Sequence, residues 1–78
     1  MALALYTEVA LAQDFPDEAL RRGDVGTIVE RILAADGEEG YALEIFNAVG
    51  ETLKVLVVPA SAIRALSADE VWSARALT

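Results

Sequence analysis

One stretch decides the fold of this chain, and it reads Leu20-Arg21-Arg22-Gly23-Asp24-Val25-Gly26-Thr27-Ile28-Val29. Gly23 has the backbone freedom that a tight turn requires, and the Asp24 carboxylate can close such a turn by accepting hydrogen bonds from nearby backbone N–H groups. The mostly β-branched residues that follow predict a buried strand directly after the turn. Inside that strand, Gly26 predicts a bulge or a close approach by another backbone. A strand of this kind bends strongly, as small barrels require.

The length and charge of the chain limit what it can bind. Its 78 residues leave room for one domain, and a hydrophobic content of 55% is high for so short a chain. We therefore expect some apolar surface to be reserved for a partner. Six Lys and Arg against 13 Asp and Glu give a net charge of −7, which repels nucleic acid and anionic membranes. The same charge favours docking to a basic protein, although acidic charge also serves solubility.

The residue types that carry most catalytic and metal chemistry are missing. The chain has no cysteine and no histidine, which excludes disulfides and thiolate metal sites. Ser61, Ser67 and Ser73 consequently lack the imidazole base that a nucleophilic serine needs. The acidic loop at 36–39 does not have the spacing of an EF-hand and is better explained as a turn. We expect no catalytic residue, no metal and no cofactor, and hence no enzyme.

The start of the chain does not resemble a targeting segment. Residues 1–5 are apolar, but they lack a basic flank and are soon followed by Glu8 and Asp14. No apolar run approaches the roughly 20 residues of a membrane span. We therefore expect a cytoplasmic, bacterial-type protein with no membrane partner.

Hydrophobic alternation and turn residues divide the chain into five short strands, predicted at 5–11, 25–33, 41–46, 52–58 and 63–66. A polar, proline-containing excursion at 12–19 separates the first two strands, and Asp36-Gly37 marks the turn before the third. Pro59 ends the fourth strand and leaves Ala60–Ala62 for one 3₁₀ turn.

The last segment begins with a helix signal. Ser67-Ala68-Asp69-Glu70 has the spacing of a capping box, in which Ser67 caps the first turn and Glu70 reaches back. This predicts a short helix over 68–76 that carries Trp72. The chain is thus expected to comprise a barrel over 1–66 and a helical appendage over 67–78.

The order of these elements resembles that of an SH3-like barrel. The run 20–25 looks like the diverging-turn signature of SH3 domains, and 58–63 resembles the segment that carries their 3₁₀ turn. More narrowly, over about residues 5–66 the chain is similar to the bacterial domain-of-unknown-function family 4926, through 20–29, Phe46-Asn47-Ala48 and Val58-Pro59-Ala60-Ser61. Members of this family are frequently found beside toxin-like genes, so the resemblance implies a neutralising or accessory role.

The chain differs from peptide-binding SH3 domains in the aromatic groove with which those domains bind proline-rich ligands. The positions that match the groove aromatics are Leu11-Ala12-Gln13-Asp14, the neighbourhood of Gly40, and Ala62. Tyr41 lies beside Gly40 but cannot rebuild a groove alone. We do not expect this chain to bind proline-rich peptides.

The fourth strand is apolar on both faces, which is typical of a strand covered on both sides. Leu53, Val55 and Val57 form its outer face. Either the terminal helix folds back and places Val71 and Trp72 on this face, or a second subunit or partner covers it. Tryptophan is also a typical interface anchor. The predicted partner-binding residues are therefore Phe46, Leu53, Val55, Val57 and Trp72.

These observations predict an all-β fold, a five-stranded SH3-like barrel with a short C-terminal helix. The predicted core consists of Val9, Leu11, Leu20, Val25, Ile28, Leu43, Ile45, Val58 and Ile63. The predicted function is a non-enzymatic protein-interaction module, an antitoxin-like or accessory subunit that binds a basic partner protein. Two alternatives stay open. The Gly23-Asp24-Val25-Gly26 turn resembles the KOW motif of nucleic-acid-associated modules, and the other alternative is a structural homo-oligomer.

Overall fold

The computed structural model describes residues 3–77 and arranges them as five β-strands joined by short connections. The strands are β1 (Glu8–Leu11), β2 (Val25–Leu33), β3 (Glu39–Phe46), β4 (Thr52–Pro59) and β5 (Ile63–Ala65). Two 3₁₀ turns lie at Pro16–Glu18 and Ala60–Ala62. All pairings are antiparallel, and the order across the sheet is β4-β3-β2-β1-β5. The predicted all-β class is confirmed.

The turn before β2 has the construction that its sequence predicts. Gly23 has a φ of +94°, and the Arg21 backbone N–H donates a hydrogen bond to the Asp24 carboxylate at 2.8 Å. The turn is also tied to β1, because the Leu11 N–H donates to the Asp24 carbonyl at 2.8 Å. The Gly23 N–H donates to the Leu11 carbonyl at 2.9 Å in return. These bonds fix the direction in which β2 leaves the turn.

Gly26 marks a close approach rather than a bulge. A Cβ at this position would lie 2.8 Å from Cδ1 of Ile45, so the neighbour is a side chain and not the backbone that the sequence predicts. The pairing of β1 with β2 runs through Gly26 without a break. The irregularity in β2 falls instead between Ile28 and Glu30, where the register with β3 shifts.

One cluster of buried apolar side chains draws on all five strands. The predicted core residues are buried with one exception, since Val25 at the start of β2 is only half-buried. Tyr41 is the largest core residue that the sequence prediction missed. Its ring is buried, while its hydroxyl donates to the Glu39 carboxylate at the margin. Tyrosine is amphipathic and can satisfy both environments.

The sheet is strongly curved, and in the described residues it is open. We call the face that carries the core the inner face. Residues from β1 and β4, which are separated by two strands in the sheet, share one core, so the sheet must curl around it. Within residues 3–77, however, β5 pairs with β1 and not with β4, which leaves both at the edges. The predicted closure into a barrel stays a prediction.

The first strand is shorter than the sequence suggests. The predicted strand begins at residue 5, but β1 begins at Glu8, because Tyr6 lies in the left-handed region with a φ of +61°. The preceding residues still follow the sheet, since the Tyr6 N–H donates to the Ile28 carbonyl at 2.6 Å.

The predicted C-terminal helix over 68–76 is wrong: residues 66–77, which we call the tail, contain a single turn and no helix. One of the two predicted capping contacts forms, since the Ser67 N–H donates to the Glu70 carboxylate at 2.8 Å, whereas the Glu70 N–H donates to the Ser67 carbonyl and not to its hydroxyl. The following residues do not continue the helix, because a helix this short is marginal in water. Tertiary contacts favour an extended tail instead: Arg64 binds Glu70 at 2.7 Å, Arg75 binds Asp24, and Leu77 packs against the core. Nowhere in residues 3–77 is there a helix of the length and apolar character needed to cross a membrane.

Candidate protein-interaction surface

The outer face of β4 exposes a row of apolar side chains, as the sequence predicts. Leu53, Val55 and Val57 alternate along the strand, and we call these three residues the β4 strip. Val57 is 63% exposed, whereas its neighbour Val58 on the inner face is 1% exposed. The alternation of a pleated strand accounts for this contrast, since successive side chains point to opposite faces. The β4 strip is therefore surface that the chain itself leaves open.

The strand next to β4 adds one predicted apolar residue and one carboxylate to this surface. Phe46 at the end of β3 is opposite Thr52 and is 41% exposed, so it extends the β4 strip. Glu44 is the cross-strand partner of Val55 and lies on the same face, and Ala42 holds the equivalent place beside Val57. The register thus brings together four of the five predicted partner-binding residues.

Three carboxylates on the outer face, which we call the acidic border, lie one strand (Glu44), two strands (Glu30) and three strands (Glu8) away from the β4 strip. Glu44 pairs with Thr27 of β2, which pairs in turn with Glu8 of β1. Glu30 occupies the next row, opposite Ala42. Within residues 3–77 the ion pairs involve other residues, and Glu44 accepts a hydrogen bond from the neutral Thr52 hydroxyl at 2.5 Å. The border was not predicted, because it depends on cross-strand register that sequence spacing alone does not supply.

A hollow of about 210 Å³ opens at one end of the β4 strip. Its walls include Val57, Pro59, Ile32 and Ala34. Gly40 of β3 lies between Ile32 of β2 and Pro59 of β4. Because glycine has no side chain, β3 does not fill the space between the side chains of these two residues. The hollow is lined mainly by apolar groups and therefore suits an apolar side chain better than a polar ligand.

The polar margin of this hollow is held by a small network around Glu39. The Tyr41 hydroxyl donates to the Glu39 carboxylate, and the Arg31 guanidinium donates to it at 2.8 Å. These two contacts, Tyr41 first, lower the pKa of Glu39 below its ordinary value. The hydrogen bond to Glu39 in turn raises the pKa of Tyr41. The carboxylate accordingly stays ionised, and the positive charge of Arg31 pairs with it.

The backbone of β4 is open on one side. β4 pairs with β3 from Thr52 to Pro59, and it is the outermost strand of the sheet in the part of the chain that the structure describes. The N–H and C=O groups of an edge strand form a template for pairing with another chain. Together with the β4 strip, this edge provides apolar contacts and directional hydrogen bonds at one place.

The fifth predicted partner-binding residue, Trp72, lies on the tail and does not cover the β4 strip. Trp72 is 67% exposed and Val71 is more exposed still, so of the two alternatives for covering β4, the structure does not show the one in which these side chains cover it. The tail is instead attached at its two ends. Glu70 binds Arg64 of β5, and Arg75 binds the organising turn.

The attachment at the turn is charged and half-buried. Nε of Arg75 donates to the Asp24 carboxylate at 3.0 Å, and Nη2 donates to the Ala19 carbonyl at 3.2 Å. Burial alone would raise the pKa of Asp24, but hydrogen bonds from the Arg75 side chain and the Arg21 backbone outweigh it and hold the pKa below its ordinary value. Asp24 thus closes the turn and also holds the tail.

The geometry defines a small all-β protein with a curved antiparallel sheet and an exposed apolar edge. A family model described as "Domain of unknown function (DUF4926)" matches residues 5–65, which is most of the chain. The chain belongs to this family, and the resemblance noted from its sequence is confirmed. Comparison with curated proteins finds no match, and comparison with solved structures finds none either.

Proposed function

We propose that this chain is a non-enzymatic, cytoplasmic protein-interaction module that binds a basic partner protein through the outer face and edge of β4. One observation carries the proposal: the exposed apolar β4 strip lies on a strand whose outer edge has no partner within residues 3–77. An apolar surface of this kind, rimmed by polar groups, is typical of an interaction site.

Charge supports a basic partner. The chain has a net charge of −7, and Glu8, Glu30 and Glu44 lie on the same face as the β4 strip. Complementary charge accelerates association and disfavours partners of the same sign. The acidic border therefore selects among the proteins that an apolar strip alone would attract.

The residue types of the chain support a binding role rather than a catalytic one. The sequence has no histidine or cysteine, and its serines have no imidazole to activate them. The family resemblance extends the proposal to an antitoxin-like or accessory subunit for the product of a neighbouring gene.

The fold proposed for this module is a small SH3-like barrel. The shared core of β1 and β4 and the 3₁₀ turn at Ala60–Ala62 support it. The alternative of a KOW-like nucleic-acid module is weaker, because the net charge of −7 repels phosphate backbones.

A pull-down from the native host, at low and high salt, tests the proposal. The tagged wild-type chain should retain one basic protein at low salt, and Val55→Glu with Val57→Glu should reduce its affinity roughly tenfold or more in a titration of the purified pair. The matched control is Val49→Glu, which changes a still more exposed valine in the β3–β4 turn.

A Trp72→Ala bait shows whether the tail takes part in the same contact. Equal retention by the double Glu variant and the wild type would contradict the proposal, as would binding that does not weaken with salt. An empty pull-down combined with a dimer in light scattering would favour the homo-oligomer instead.

A further inference from the structure

We propose that the partner contributes an extended strand that pairs with the open edge of β4, and that this strand carries Arg or Lys on the outer face and one large apolar side chain in the hollow beside Gly40. This inference rests on the proposed function and specifies which element of the partner binds and how. It follows from three features of one surface: the open edge, the acidic border and the hollow.

The edge determines the form of the partner segment. β4 is paired only with β3 within residues 3–77, and Thr52–Pro59 is long enough to hold a strand of ordinary length. The opposite edge, β5, has three residues and is followed by the tail. An extended segment added to β4 satisfies backbone groups that a helix or a loop would leave to water.

The distance from the edge to the acidic border determines the charge of the partner segment. Neighbouring strands lie about 4.8 Å apart, so an added strand would lie roughly 10 Å from β3, two strand spacings away. Arg and Lys side chains can span much of this distance. Their aliphatic stems would cover Val55 and Val57 while their charged ends approach Glu44 on β3, and Glu30 on β2 lies one strand spacing further away. An arginine or lysine of the partner segment would thus contact the valines of the β4 strip and a carboxylate of the acidic border at the same time.

The hollow determines one position of the partner segment. It lies beside Val57 and Pro59, at the end of β4 where the strand leads into the 3₁₀ turn. Its volume of about 210 Å³ accommodates a side chain the size of Leu or Phe. A segment with a large apolar residue at this end and basic residues along β4 would therefore bind in one register.

The direct test uses synthetic peptides and amide NMR spectra of the full chain. The probe is a capped peptide of about ten residues with arginine at alternate positions, threonine between them and one phenylalanine near an end. It should shift the amide signals of Thr52–Pro59 and of the hollow. A peptide with glutamate in place of arginine should bind at least roughly tenfold more weakly.

Backbone methylation distinguishes strand pairing from general attraction between opposite charges. Two further peptides carry N-methyl groups on alternate residues, one set for each edge of the extended peptide. Only the edge that faces β4 donates hydrogen bonds to it, so one methylated peptide should keep binding and the other should lose it. Equal binding by both would overturn the strand-pairing mode.

Variants of the chain locate the charge and apolar contacts. Glu44→Gln and Val57→Thr should each weaken binding of the arginine peptide, and Glu18→Gln and Val49→Thr should leave it unchanged. Val57 and Val49 are exposed, Glu44 and Glu18 are half-buried, and the substituted residues have similar shapes, so the fold should stay intact, and melting curves check this. Binding that depends equally on Glu18 and Glu44 would overturn the inference.

The remaining outcomes separate this inference from the proposed function. If the host partner binds in a manner that requires Val57 but the arginine peptide shifts no amide of β4, the strand-pairing inference is wrong and the interaction module stands. If neither the host lysate nor the peptide yields binding, both are wrong. Shifts of the β4 amides on dilution of the chain alone would show that a second copy occupies the edge, which overturns a basic segment.

Discussion

The two edge strands of the sheet differ in length and in how far they are protected. β5 has three residues, and the tail that follows it is attached by Arg64 to Glu70 and by Arg75 to Asp24. β4 has eight residues, and its outer face exposes the β4 strip. Natural sheets usually protect long apolar edges because such edges pair with other chains. Within residues 3–77, β5 is short and is followed by an attached tail, whereas β4 is long and carries a continuous row of exposed apolar side chains.

Replacing single valines of β4 gives the largest expected contrast. Val58 is buried on the inner face and Val57 is exposed on the outer face of the same strand. Val58→Ala should lower the free energy of unfolding by about 2 to 3 kcal/mol, because it removes buried methyl groups and leaves a cavity. Val57→Ala should change it by less than about 0.5 kcal/mol. Chemical denaturation of the two variants measures both values.

Similar losses for the two valines would mean that the β4 strip stabilises the isolated fold. The interpretation of this surface as one left open for a partner would then be wrong. Val49→Ala, at another exposed position, provides the reference for a substitution without burial.

A substitution in the organising turn should have the next largest effect. Gly23 has a φ of +94° and open space around it, so a side chain there meets backbone strain rather than a clash. Gly23→Val should cost about 1 to 2 kcal/mol of stability and lower the melting temperature. Arg22→Val, at the exposed neighbouring position, is the control. An unchanged melting temperature for Gly23→Val would contradict the requirement for a positive φ at this turn.

The smallest effect concerns the ion pair that holds the tail beside β5. Hydrogen bonds from Arg64, followed by those from Ser67, lower the pKa of Glu70 from 4.5 to about 2. Because the folded pKa is the lower one, this stabilisation is fully present above pH 4.5 and is lost as the pH falls towards 2. Solvent screening makes the effect small, since Arg64 and Glu70 are both accessible.

Melting curves across this acidic range, compared for wild type and Glu70→Gln, measure the effect. The difference between the two proteins should be present near neutral pH and shrink as Glu70 is protonated. Asp17→Asn, at an exposed position in the first 3₁₀ turn, is the control. A difference that is constant with pH would show that the carboxylate of Glu70 contributes through packing and not through charge.

The sequence predicted the parts of this fold that depend on local patterns. β2 and the 3₁₀ turn at Ala60–Ala62 have the predicted bounds, because a β-branched run and a proline decide them within a few residues. The buried side of each strand was also largely predictable from alternation. The exception is Val25, which lies at the start of β2, where the burial of a side chain depends on the elements that pack against it.

The predictions that were wrong concern parts of the fold that depend on contacts between residues far apart in the sequence. The capping residues of the tail are present, but Arg64 and Asp24 bind the tail in an extended form. The candidate interaction surface likewise has a part that local sequence patterns predicted and a part that they did not. Alternation predicted the exposed β4 strip, whereas the acidic border and the hollow at Gly40 follow from register across three strands. Register requires knowing which strands are neighbours, and that information is not local.

The position of Trp72 determines how unfolding of this protein can be observed. It is the only tryptophan of the chain, and it is 67% exposed on the tail rather than part of the core. Its fluorescence should resemble that of a solvated indole in the native state and change little when the sheet melts. Circular dichroism of the sheet will therefore follow global unfolding, while tryptophan emission will respond to whatever approaches the tail.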